Sequence, residues 1–167
     1  MLPRTITLLG WGLALALGLS ACGGSAPATT STTVSVSSTR CRLVSPAEIQ
    51  AEVGVTVAIP GTSVHGKSTL CTYKAANLGQ SIVIGYNSGA TATSFAQNRT
   101  ALRSRGDQLG KILGLGDEAY YAVAHTGGTT VTTVVARKGS EQVLVTGTAT
   151  LTELETLAEQ ALAKAAS

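Results

Sequence analysis

The chain has 167 residues, of which 44% are hydrophobic and 13% charged, and its net charge is +3. That mild balance argues against a nucleic-acid partner, which needs a concentrated basic stripe. The length and apolar share suit one domain with a buried core.

The first residues are a targeting signal rather than part of that domain. Arg4 supplies a positive start, and residues 6–19 (ITLLGWGLALALGL) form an uncharged apolar run. A spanning helix needs about 20 apolar residues, and this run is shorter. Leu19-Ser20-Ala21-Cys22, followed by Gly23-Gly24, is a lipobox. Small residues let the backbone lie extended in a peptidase groove, and the cysteine thiol takes a diacylglycerol. The expectation is a lipoprotein signal peptide at 1–21, a lipidated Cys22 carrying fatty acyl chains such as palmitate, and anchoring at the extracytoplasmic face of the cell membrane.

From Cys22 onward eleven basic residues face nine acidic ones, a net charge of +2. Residues 23–39 hold ten Ser or Thr and no charge. Such a segment cannot bury enough apolar surface to order itself. With Cys22 it reads as a tether over 22–40, reaching about 23 Å as a coil. A single domain is expected over 41–167. With Cys22 acylated, Cys41 and Cys71 remain as a disulfide in an oxidising compartment. Its loop of about 30 residues is worth about 3.7 kcal/mol in the chain-entropy model. Two free thiols acting as metal ligands or a redox pair are the alternative.

Ser45-Pro46-Ala47-Glu48 carries the residues of a capping box with proline at the first helical position. Ile49 and Val53 stripe the short helix, and Gly54 ends it. Residues 55–68 read as an irregular loop. Two strand-like runs follow, Thr69–Ala75 and Gln80–Tyr86, joined by a turn over Ala76-Asn77-Leu78-Gly79. A helix is expected from Thr93 to Ser104, burying Phe95 and Leu102, with Gly106 closing it and a loop over 107–117. Strands are expected at Glu118–His125, Thr129–Arg137 and Gln142–Gly147, with turns at Gly127-Gly128 and Lys138-Gly139-Ser140. Leu154, Leu157, Ala158, Ala161, Leu162 and Ala165 stripe a last helix capped by Thr150 or Thr152. The pattern predicts an α+β fold: an antiparallel sheet of about five strands with helices packed on one face, the other face Thr-rich and partly solvated.

Cys41-Arg-Leu-Val-Ser-Pro-Ala-Glu48, the second cysteine in Cys71-Thr-Tyr-Lys, Leu115-Gly-Asp-Glu-Ala-Tyr120 and the late Arg137-Lys-Gly turn carry a resemblance. Over residues 41–167 the chain resembles small secreted lipoproteins of actinobacterial type, grouped as a domain of unknown function. More loosely it is similar to the extracellular sensor domain of mycobacterial receptor kinases. The resemblance implies an α+β domain with a Cys41–Cys71 bridge and brings no activity with it.

Gly61-Thr-Ser-Val-His-Gly66-Lys67-Ser68 matches GxxxxGK[ST] in form. A phosphate loop leads into a helix N-terminus, whereas the β-branched run Thr69–Tyr73 follows here, so no nucleotide is expected. Asp117 and Glu118 would point apart on a strand, and Asp117 reads as a turn residue. His65 and His125 each lie beside a glycine turn without a carboxylate at ligand spacing. No catalytic, cofactor-binding or metal residue is assigned, and no cofactor is expected. Arg99 and Arg103 share a helix face, and Tyr120-Tyr121 places one ring on each side of a strand. These four are the candidate partner contacts, for an envelope protein, a lipid or an anionic polymer. The function expected is a non-enzymatic binding module anchored at the membrane; the rival is an extracytoplasmic hydrolase with an unrecognised site.

Overall fold

The computed structural model describes residues 39–75 and 80–167. Cys22, the signal segment, most of the tether and the 76–79 turn lie outside the described residues. Among the described residues the fold is α+β: seven antiparallel strands form one sheet, accompanied by three full helices.

Helix α1 spans Pro46–Val53 and starts as its sequence dictates. The Ser45 hydroxyl accepts from the Glu48 amide, and the Glu48 carboxylate accepts from the Ser45 amide at 2.8 Å. Gly54, with φ of 68°, takes the left-handed conformation that ends the helix. Strands β1 (Gly61–His65) and β2 (Ser68–Lys74) then form a hairpin, and β3 (Ser81–Asn87) pairs with β2. Helix α2 runs Ala92–Ser104 from a capping box of Thr91 and Ser94. β4 (Gln108–Ile112), β5 (Glu118–Thr126), β6 (Thr129–Lys138) and β7 (Glu141–Gly147) follow. Helix α3, Leu151–Ala165, is capped by Thr150 with Glu153. The strand order is β1-β2-β3-β7-β6-β5-β4, so β7 closes the gap between the two halves.

The sheet has seven strands rather than about five. The two extra ones, β1 and β4, are its edges, in segments expected to be loops. All five β1 residues are exposed, so no apolar alternation marks that strand. β4 carries Gly110 at its centre, and the ring of Tyr121 covers that glycine closely.

The helices are divided between the two faces rather than placed on one. Cys71 and Tyr73 of β2, Ile84 and Tyr86 of β3, Val143 and Val145 of β7, and Val134 and Ala136 of β6 share one face by register. That face forms the main core with Ile49 of α1 and with Leu154, Leu157, Ala158, Ala161 and Leu162 of α3. Helix α2 joins the opposite face, where Phe95 packs with Tyr120 and Val135, flanked by Leu102, Leu109 and Leu144. The Phe95 and Tyr120 rings meet edge-on, 5.0 Å between centroids. One buried aromatic and one half-buried leucine are a narrow stripe, enough to seat a helix over only part of a sheet.

Cys41 and Cys71 are bridged, with Cα atoms 5.4 Å apart. The Tyr73 hydroxyl donates to the Cys41 and Val44 carbonyls at 2.9 and 2.7 Å, and burial pushes its pKa up to about 12. Arg40 forks onto Glu141 at 2.8 and 3.2 Å. The first described residues are thereby fixed to β2 and β7.

Candidate binding groove

The structure scatters the residues singled out in the sequence. Cys22 lies outside the described residues. Arg99 and Arg103 are exposed on α2, and among the described residues neither forms an ion pair. Tyr120 lies beneath α2 at 2% exposure, so its ring is part of a core and not a contact surface. Tyr121 points to the other face, half-buried against the main core. Both tyrosines are covered because helices flank both faces, which the period of a strand does not reveal.

The segment Gly114-Leu-Gly-Asp-Glu is a structural clamp. Gly116 sits at φ of 64°, where a Cβ would come within 2.5 Å of the Arg137 carbonyl. The Asp117 carboxylate accepts from the Gly139 amide at 2.8 Å, and Glu118 pairs with Arg137 at 2.9 Å. Both acids are thus spent on the β6–β7 turn. The GKS match is the turn of the β1–β2 hairpin, in which His65 pairs with Ser68. Its amides serve that hairpin, no helix follows, and the Lys67 stem lies over Gly89. Among the described residues no cluster of His, Cys, Asp and Glu could hold a metal ion.

A different set is brought together on the α2 face. Because α2 covers the β5–β6–β7 side, the part of this face built by β1, β2 and β3 has no helix packed on it among the described residues. The register places three rows across it: Thr72, Val83 and Thr146; then Leu70, Gly85 and Leu144; then Ser68, Asn87 and Gln142. The second and third rows floor a groove of about 310 Å³, with Ser63 and His65 of the hairpin on one wall and Asn98 of α2 on the other. Leu70 is 43% exposed on this floor.

Gln142 is 8% exposed, and its Oε1 has no hydrogen-bond partner. An unmet buried acceptor costs about 1–3 kcal/mol, so such groups are rare without a purpose. The groove continues past Asn98, Gln142 and Leu144 into a second depression of about 380 Å³ bounded by Leu102, Arg105 and Tyr120. There the Tyr120 hydroxyl also lacks a partner, and burial pushes its pKa up to about 12. Arg105 is paired with Asp107 at 3.1 Å. Apart from His65, the residues lining the first groove are uncharged. The Asn87 Oδ1 is used by the Gly89 amide at 2.9 Å, leaving its NH₂ group to serve the groove. Ser63 and His65 lie on the same face of β1, with Oγ and Nε2 3.3 Å apart.

No family model, no curated protein and no solved structure matches this chain.

Sequence reasoning missed the groove because its polar residues are far apart. Gln142 opens an apolar strand, Asn87 ends one and Asn98 sits on an exposed helix face. The one local signal was Gly85, a side-chain gap inside an otherwise β-branched run.

Proposed function

We propose that the chain is a non-enzymatic ligand-binding module, held at the extracytoplasmic face of the cell membrane through a lipidated Cys22 and a Ser/Thr-rich tether. The lipobox after an apolar run supports the anchor, and the Cys41–Cys71 bridge suits an oxidising compartment. The resemblance to small secreted lipoproteins points the same way. The side chain of Gln142, nine-tenths buried at a polar groove with its Oε1 unpartnered, carries the binding reading. A ligand that meets this amide recovers a hydrogen bond the free protein forgoes. Arg99 and Arg103 stand on the solvent side of α2, where they would favour an anionic envelope surface near the groove.

The second reading, an extracytoplasmic hydrolase, has one observation in its favour: the Ser63–His65 contact. Nucleophilic catalysis also needs a group orienting the imidazole and donors for an oxyanion. The His65 contact recorded is with Ser63 itself, and no carboxylate lines this groove.

The test is a titration of the isotope-labelled full chain in detergent micelles with fractionated envelope extracts. Amide shifts should cluster at residues 63–70, 85–87, 98 and 142–144, with no turnover on ester, amide and glycoside substrates. Shifts confined elsewhere would sink the groove. Turnover abolished by Ser63→Ala or His65→Ala would replace the binding reading with the hydrolase.

A further inference from the structure

Resting on that groove as the binding site, we propose that it accepts a neutral sugar bearing an N-acetyl group, its methyl seated on Gly85 and its amide and hydroxyls met by Asn87, Asn98 and Gln142. The lining residues exclude a charged ligand first. Apart from His65 on its wall, the groove is lined by uncharged residues, so a phosphate or carboxylate seated on the floor would lose water without gaining a counter-ion there. What the groove offers is amides and hydroxyls, groups that both donate and accept, which is the hydrogen-bonding chemistry of a sugar.

Gly85 selects within that class. On this face it lies between Leu70 and Leu144, and it leaves a gap where its neighbours carry side chains. A Cβ placed there would sit 3.4 Å from Leu70 Cδ1 and 3.6 Å from Leu144 Cβ, in ordinary contact with both. The glycine therefore leaves a shallow notch between two leucines, over which a ligand methyl can rest and whose floor an alanine methyl would take up. One row further along the strands, roughly 7 Å away, stand Asn87 and Gln142. A methyl attached to an amide, attached in turn to a ring of hydroxyls, matches that sequence of environments. A peptide also carries methyls and amides, but its backbone docks best against a free strand edge. Here the floor is a sheet face whose backbone groups are already paired, so the sugar fits better.

The test uses the full chain in detergent micelles and isothermal titration with di-N-acetylchitobiose, cellobiose, which lacks the acetamido groups, and an N-acetylated tri-alanine amide. The acetamido sugar should bind about tenfold tighter than cellobiose, the scale on which a well-fitted methyl is discriminated. Gly85→Ala fills the notch without a backbone penalty and should bring the ratio of the two disaccharide affinities down to about one. Asn98→Ala, on an exposed helix surface, should weaken both sugars. An unchanged melting temperature for each variant shows that the fold is kept. Co-sedimentation with peptide-free cell-wall glycan strands separates a polymer source from a soluble oligosaccharide. Equal affinity for the two disaccharides, a preference that survives Gly85→Ala, or tighter binding of the tri-alanine amide would overturn the assignment. Extract-induced shifts at the groove with no response to either sugar would overturn the ligand and leave the binding reading standing. Silence in both experiments would overturn both.

Discussion

The two faces of the sheet are built to different standards. On one, α1 and α3 join the disulfide and five strands in a single core, in which five α3 residues are buried. On the other, α2 is held by one buried aromatic and half-buried leucines, and among the described residues the β1–β3 side carries no packed helix. Stability is concentrated on the first face, while the second keeps an unmet amide and an exposed leucine. A small domain gains little from such a floor unless something occupies it.

Substitutions on each face sharpen this contrast. Leu157→Ala, in the main core, should cost about 4 kcal/mol by chemical denaturation, because the cavity cannot collapse beneath a sheet. Reducing the Cys41–Cys71 bridge should cost about 3 kcal/mol and lower the thermal midpoint; free thiols in protein purified without reductant would contradict the bridge. Leu102→Ala, its counterpart on the α2 face, should cost only about 1–2 kcal/mol, since the side chain is half-buried. A loss equal to that of Leu157→Ala would break the comparison.

The smaller effects concern ionisation and the groove. Lys164 and the Ser45 amide hold the Glu48 carboxyl down at about 2, against an ordinary 4.5. A lowered pKa contributes stability above pH 4.5, and that contribution is lost as pH falls towards 2. Glu48 is 40% exposed, so screening keeps it under about 1 kcal/mol. Glu48→Gln should flatten this part of the acid unfolding curve. Gln142→Leu should be neutral or stabilise by up to about 1 kcal/mol, because it removes an unpartnered buried acceptor. A clear destabilisation would mean that the amide supports the fold rather than a ligand.

Local rules were readable wherever a few neighbouring residues decide the outcome. Ser45, Pro46 and Glu48 specify the start of α1, Thr150 and Glu153 that of α3, and the apolar stripe of α3 its buried side. The bridge followed from having two cysteines left after the lipobox. The edge strands were not readable: exposure of every β1 residue removes the alternation that marks a strand, and Gly110 interrupts it in β4. Which face α2 would cover was equally hidden, because its stripe fits either side. That one choice buried Tyr120 and left Leu70 exposed. The groove depends on it, and no spacing within the chain records it.

The clamp on the first described residues has a mechanical consequence. A pull arriving along the chain from the N-terminal side meets Arg40 and Cys41 first. The disulfide passes the load directly into β2, and Arg40 shares it with β7, while α1 lies within the covalent loop and is bypassed. Helix α3 and the core it seals lie beyond the point where that load enters the sheet. The domain can be dragged by its leading end without being stretched.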